Sequence, residues 1–246
     1  MKRILFVVIL FVLGLGGQFL LKARRPVDTP LMADSTIAAL GGFRSLAAEA
    51  VWFRADRLQD EGRYVELAQL ASTLTFLEPH TPEVWSYAAW NLAYNVSVMM
   101  PTLEDRWRWV EAALHLLRDR GLPLNPGEAE LYRELAWFFQ LKLGTDLDAA
   151  AGLYREKWRA IVSDVSARNA WQELGMDASR MAEVEREYGI TDWADPFSSA
   201  LYWAHQGLVC AKGQDLAFLK ELIRQTKVIL NRPRKDVFPA ARPVSS

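Results

Sequence analysis

Apolar residues recur at intervals of three and four along most of this 246-residue chain, between Ile37 and Leu230. One such stripe consists of Ala48, Val51, Trp52, Ala55 and Leu58. This spacing is typical of the buried face of an amphipathic helix, and no stretch alternates apolar and polar residues as a half-buried strand does. Glycines and prolines interrupt the pattern at fairly regular places, which implies helices of about 12 to 18 residues. The sequence therefore predicts an all-α domain over residues 37–230.

Two parts of this domain resemble tetratricopeptide repeats, whose unit is a pair of antiparallel helices. Gly62–Ala68, Leu77–Pro79 and Val84–Trp85 match the turn, second helix, closing proline and next tryptophan of such a unit. Asn125–Tyr132 followed by Leu143–Ala150 is a second match. The resemblance implies an α-solenoid of about five helix pairs: 43–60 with 64–77, 82–98 with 103–119, 128–142 with 147–163, 164–174 with 177–188, and 196–211 with 215–230. The alternative is an irregular helical bundle.

The N-terminal block is different in character. Ile4–Leu21 is an 18-residue run without charge, flanked by basic residues, and this length is just enough for a helix to cross a bilayer. The segment after it lacks the small residues of a signal-peptide cleavage site, so an uncleaved anchor is favoured over a cleaved signal. The predicted organisation is an anchor over 1–25, a tether over 26–36, the repeat domain over 37–230, and a basic, disordered tail over 231–246.

The predicted anchor sets an expected location for the protein. A single spanning helix after a very short N-terminal tail predicts a single-pass protein of the inner (plasma) membrane, with the repeat domain on the periplasmic or extracytoplasmic side. The flanking Lys and Arg residues are nearly balanced and do not decide the orientation. The fold class predicted overall is thus all-α, a transmembrane helix followed by a tetratricopeptide-like solenoid.

Composition and motifs exclude several functions. The formal net charge of -1 argues against a nucleic-acid binder. The lone cysteine, Cys210, excludes an internal disulfide, and no nucleophile, phosphate-loop or zinc-protease motif occurs. Glu111 and His115 share a helix face, but two ligands are too few for a metal site. We therefore predict a protein that is not an enzyme and that uses no cofactor or metal.

The remaining functional candidate is a surface. In the resembled family, the first helices of successive units line a groove that binds peptides or partner helices. Placing this sequence on that pattern gives acidic and aromatic residues together, which suits a protein segment with basic and apolar residues. The alternative is that the tryptophans of this set belong to the core. The predicted groove residues are Glu49, Trp52, Asp56, Glu83, Trp90, Tyr94, Glu130, Arg133 and Trp137.

Two functional hypotheses follow from these features. The first is a membrane-tethered, non-catalytic scaffold or adaptor that holds a protein partner in its groove, in an envelope secretion, transport or appendage-assembly complex. The second is an integral structural subunit of a larger membrane enzyme or transporter, in which the repeats serve assembly alone. A repeat-based enzyme or chaperone ranks below both because no acid–base or nucleophile constellation is present.

Overall fold

The computed structural model describes residues 31–190 and 192–231, and these ranges are helical with no strand. The all-α part of the prediction is confirmed for them. Contacts divide the chain after Arg44, and the unit that begins at Ser45 holds the core described below. In chain order the α-helices of nine or more residues are α1 (Leu31–Asp60), α2 (Tyr64–Leu77), α3 (Pro82–Trp90), α4 (Leu103–His115), α5 (Ala129–Trp137), α6 (Ala151–Arg168), α7 (Ala178–Tyr188), α8 (Pro196–Leu208) and α9 (Gly213–Leu230).

The predicted fold class, a transmembrane helix followed by a tetratricopeptide-like solenoid of five pairs, is wrong. Across residues 31–190 and 192–231, no helix combines the length and the apolar character that membrane crossing requires. α1 is long enough at 30 residues, but charged residues such as Asp34, Arg44 and Glu49 interrupt it. The predicted anchor at Ile4–Leu21 lies outside the described residues, as does almost all of the predicted tail.

The predicted fourth helix pair does not form as expected. α6 continues to Arg168, and Asn169 then takes a left-handed conformation with φ of 52°, which ends the helix. Only a short 3-10 turn, Trp171–Leu174, precedes α7. Residues 164–174 are therefore not a separate helix, and the array loses the first member of that pair.

The close packing of α5 against α8 also departs from a linear array. The ring of Tyr132 lies 6.3 Å from that of Trp203, measured between ring centroids. A Cβ added at Gly207 would lie 2.9 Å from the Cβ of Tyr132, so this glycine permits the close approach of the two helices. The third and fifth predicted pairs are thus direct neighbours, although a linear repeat would place the fourth pair between them.

Three consecutive helices continue through π-helical turns, at Asn91–Val96 after α3, Leu116–Gly121 after α4, and Phe138–Leu143 after α5. The first is followed by one further α-helical turn, Ser97–Met99. π turns usually occur singly within α-helices and are frequent at functional sites. The two that follow α3 and α5 lie at the candidate site described below.

The helix starts agree with the local chemistry of the chain. Thr102 precedes α4, and its hydroxyl accepts a hydrogen bond from the Asp105 N–H at 3.1 Å. Asp177 caps α7 in the same way, and Pro196 occupies the first position of α8 behind the capping Asp195. Such caps satisfy backbone donors that the first helical turn leaves free.

Four tryptophans lie in the core. Trp85, Trp107, Trp158 and Trp203 are each 5% exposed or less, whereas Trp171 is only partly buried. A smaller cluster at the α1–α2 end consists of Ala55, Leu58 and Leu67, with Trp52 and Tyr87 packed against it.

Candidate functional site

The candidate site lies where α3 and α5 pack side by side. The carboxylate of Glu83, near the start of α3, is close enough to that of Glu130, near the start of α5, for its charge to raise the pKa of Glu130. Towards the other end, the ring of Tyr94 lies 5.4 Å from that of Phe138. The two helices therefore run in the same direction, and they bring predicted groove residues from both units to one surface.

Trp90 is the most exposed aromatic residue of this surface. Its side chain is 46% exposed, and its ring stacks on that of Tyr94 with 4.9 Å between centroids and an interplanar angle of 25°. Tyr94 in turn rests edge-on against the fully buried Phe138. The indole is thus held in one orientation while much of its apolar surface stays in contact with solvent.

An open cleft of about 280 Å³ adjoins this stack. We call it the aromatic cleft; Tyr94, Val98, Leu141 and Leu147 form its apolar lining, and Arg106, Lys142 and Asp148 also line it. Tyr94 lies in the π turn that follows α3, and Leu141 lies in the π turn that follows α5. Leu147, in the loop before α6, is 80% exposed. The two π turns therefore supply opposite sides of one apolar cleft.

A buried ion pair lies beneath the aromatic cleft. Lys142 Nζ donates to Asp148 Oδ2 at 2.6 Å and lies 4.9 Å from the centroid of the Tyr94 ring. Asp148 also accepts from the Tyr154 hydroxyl at 3.2 Å and from the Ala150 N–H at 2.9 Å. The Lys142 and Asp148 side chains are 4% and 6% exposed, so this network fixes the floor of the cleft.

Burial acts on the pKa values of both partners of this pair. It lowers the pKa of Lys142 by disfavouring the charged ammonium, and the bond to Asp148 opposes that effect. Burial alone would raise the pKa of Asp148. Its hydrogen bonds, with that from Lys142 the strongest, outweigh burial and hold the pKa below its usual value.

An excess of negative charge lies nearer the start of α5. We call Glu83, Glu130, Glu134 and Asp215 the acidic row. Arg133 lies 3.1 Å from Glu134, 3.9 Å from Glu130, and in close contact with Asp215 of α9. Burial raises the pKa of both Glu130 and Glu134, and neighbouring carboxylates add to the effect. The single guanidinium of Arg133 thus pairs with three carboxylates, and Glu83 adds a fourth negative charge beside them.

Some of the predicted groove residues are engaged within the protein. Trp52 donates its indole N–H to Glu78 at 3.2 Å and packs 5.1 Å from the ring of Tyr87. Trp137 lies 5.0 Å from the ring of Phe218, so α9 covers part of it. Glu49 and Asp56 are exposed on α1. Burial and the charge of Asp56 together raise the pKa of Tyr87. Of the predicted groove residues, those that lie close together and also reach solvent are Trp90, Tyr94, Glu83 and Glu130.

Several residues of the site were missed by the sequence reasoning. Glu134 follows Glu130 by one helical turn, and this spacing was the signal that could have found it. Asp215 and Phe218 reach Arg133 and Trp137 from 82 and 81 residues further along the chain. Lys142 and Asp148 meet across the loop after α5, where no helical periodicity applies. Only the fold could reveal these last contacts.

A second cleft lies between α4 and α6, with Trp107 and Trp158 among its lining residues. Glu111 and His115 line it too, and the His115 ring nitrogen Nδ1 pairs with Asp119 at 2.5 Å. Over the described ranges, no three His, Cys, Asp or Glu side chains are grouped so that they could hold a metal ion.

The chain matches no protein-family model, no curated protein and no solved structure. The resemblance of its segments to tetratricopeptide repeats therefore stays a prediction. The described residues define a class by fold and surface: an all-helical protein that presents a stacked tryptophan, an apolar cleft and an acidic row along two parallel helices.

Glu134→Gln is expected to raise stability at neutral pH and to flatten its pH dependence. Because burial raises the pKa of Glu134, the folded state binds more protons than the unfolded state between the ordinary pKa and the raised one. Stability therefore falls as pH rises through that window, and the cost is complete above it. Glutamine keeps an acceptor for Arg133 but cannot ionise.

Urea denaturation at pH 5 and pH 7 measures this effect. Glu183→Gln, at an exposed position of α7, is the matched control and should keep the wild-type pH dependence. Equal pH dependence in wild type and Glu134→Gln would contradict the assignment of a destabilising carboxylate at this position.

Proposed function

We propose that this chain is a non-catalytic scaffold that binds a segment of a protein partner along α3 and α5. The observation that supports it best is Trp90, which is nearly half exposed yet fixed by its stack on Tyr94. A rigid, exposed indole is a typical energetic centre of protein interfaces, because little conformational entropy is lost when a partner covers it.

The charges around Trp90 indicate the chemistry of the partner. The acidic row holds four carboxylates and one neighbouring guanidinium, so a segment with lysine or arginine together with apolar residues complements it. The charged pair nearest the cleft, Lys142 and Asp148, is almost fully buried and bonded internally, which favours a structural role over a catalytic one. The envelope location expected from the sequence depends on residues 4–21, and the proposal stands without it.

One observation favours the second hypothesis, a structural subunit of a larger complex. Phe53 of α1 and Phe76 of α2 are 79% and 77% exposed, and large exposed apolar side chains occur at permanent assembly interfaces. Purification of the native complex distinguishes the two functions. A partner bound in fixed proportion that resists salt supports the subunit, whereas a salt-sensitive, exchanging partner supports the scaffold.

Trp90→Ala is expected to weaken partner binding by about 2 kcal/mol or more, which is about 30-fold in Kd. Because Trp90 is nearly half exposed but stacks on Tyr94, the free energy of unfolding should fall by no more than about 1 kcal/mol in this variant. The partner is first captured from the source cells with the tagged full chain, then purified and titrated calorimetrically. Val209→Ala, which truncates an apolar side chain that is 79% exposed just after α8, is the control. Unchanged affinity in Trp90→Ala would overturn the proposed surface.

A further inference from the structure

We infer that the partner segment binds in extended conformation, with a large apolar side chain in the aromatic cleft and a lysine or arginine at the acidic row, three to five residues apart. This inference rests on the proposed function and refines it. It specifies two separate contacts and the distance between them.

The aromatic cleft has the size and lining for one apolar side chain. Its volume of about 280 Å³ lies just below the range of pockets that hold small-molecule ligands, about 300–1,000 Å³. Val98 and Leu147 are 45% and 80% exposed and face no covering element in the described chain. An apolar side chain of the partner would remove this surface from water, which stabilises the complex by about 25 cal/mol for each Å² covered.

The acidic row supplies the second contact. The side chains of Glu130, Glu134 and Asp215 are only 20%, 17% and 31% exposed, so they are already largely removed from water before a partner arrives. Carboxylates that share one guanidinium in such surroundings are incompletely neutralised. A partner ammonium or guanidinium would pair with these carboxylates. Most of the free-energy cost of removing them from water is already present in the free protein.

The positions along α5 set the distance between these contacts. Leu141 follows Glu134 by seven residues and Glu130 by eleven. A rise of about 1.5 Å per residue places the cleft roughly 10–16 Å from the acidic row. An extended chain advances about 3.3 Å per residue, so this distance corresponds to three to five residues of the partner.

The neighbouring elements favour an extended partner over a helical one. On the α5 side, Phe218 and Asp215 of α9 cover Trp137 and Arg133. α9 therefore bounds the open strip on the α5 side, and the axes of packed neighbours such as α3 and α5 lie roughly 8–10 Å apart. A helix with its side chains has a diameter of about 10–12 Å, whereas an extended strand fits within the strip.

A phage-displayed library of random 12-residue peptides, selected on the purified full chain, tests the inference. We expect enriched peptides to share one large apolar residue with a lysine or arginine three to five positions away. For a synthetic peptide with an enriched sequence, Leu147→Ser and Glu130→Gln in the protein should each raise Kd at least fivefold. Glu130→Gln should also weaken the salt dependence of Kd. Val209→Ser and Glu183→Gln, at exposed sites elsewhere, should leave Kd unchanged.

The outcomes separate the inference from the proposed function. Enriched peptides whose binding depends on Trp90 but whose apolar and basic residues have no fixed spacing would overturn the inference and leave the scaffold function standing. A fixed spacing of seven to eleven residues would also overturn it, because that spacing fits a helical partner. A library that yields no Trp90-dependent peptide overturns both.

Discussion

Asp148→Ala is expected to lower the free energy of unfolding by about 3–5 kcal/mol, because it leaves the Lys142 ammonium buried without its partner. Lys142 is 4% exposed, and its bond to Asp148 is 2.6 Å long. The Tyr154 hydroxyl and the Ala150 N–H lose the same acceptor. Urea denaturation followed by circular dichroism at neutral pH measures the loss.

Two further variants show whether the cost comes from the buried charge. Asp146→Ala, whose side chain is 65% exposed and pairs with Arg155, should cost no more than about 1 kcal/mol. Lys142→Met combined with Asp148→Ala should regain part of the lost stability, since the buried ammonium is then gone and only Arg106, whose side chain is 22% exposed, loses its 3.5 Å contact with Asp148. A double variant no more stable than Asp148→Ala alone would contradict the explanation.

The Lys142–Asp148 pair also predicts how the stability of the protein changes at low pH. The folded pKa of Asp148 lies below its unfolded value, so its contribution is present above the unfolded pKa of about 3.9 and is lost as pH falls through the folded pKa. Asp148→Ala should therefore lose less stability than wild type when the pH is lowered below about 4.

Trp85→Ala is the second large expected effect, a loss of about 3–5 kcal/mol in the free energy of unfolding. Trp85 is 4% exposed, and a Cβ placed at Gly121 would lie 3.2 Å from its ring, so the π turn that follows α4 packs closely over it. Alanine would leave a cavity in the main core. The lost hydrogen bond to the Pro79 carbonyl matters less, because Asn125 donates to the same oxygen at 2.9 Å.

Trp90→Ala is the matched comparison for this variant, since the two tryptophans lie on the same helix five residues apart. Thermal and urea denaturation should show a large loss for Trp85→Ala and a loss of no more than about 1 kcal/mol for Trp90→Ala. Equal losses in both variants would mean that Trp90 is a core residue in solution, and the proposed binding surface would then be wrong.

The helical domain and part of its surface could be predicted from the order of residues. Pro82, Thr102 and Pro196 mark helix starts because each satisfies or tolerates the free donors of a first turn. Once α3 is known to begin at Pro82, the helical period of 3.6 residues places Trp85 and Trp90 on different faces of it. Local chemistry is enough for such features.

The features that could not be predicted depend on contacts between distant segments or on a change of helical period. The approach of α8 to α5 depends on Gly207 meeting Tyr132, which lies 75 residues earlier. Asp215 completes the acidic row from α9. The π turns cannot be predicted in this way either, because an apolar stripe indicates a single helical period of 3.6 residues. No described helix could span a membrane, and the predicted anchor at Ile4–Leu21 lies outside the described residues.

The π turn after α3 has a consequence for insertions and deletions in this chain. Trp90 and Val98 are eight residues apart, and an uninterrupted α-helix would place them roughly 80° apart around its axis. The wider turn at Asn91–Val96 absorbs about one residue, which reduces that angle to roughly 20°. Removing one residue from this turn would restore an ordinary helix and keep both side chains in phase. The segment is thus a place where the chain length can change by one while the surface on either side keeps its alignment.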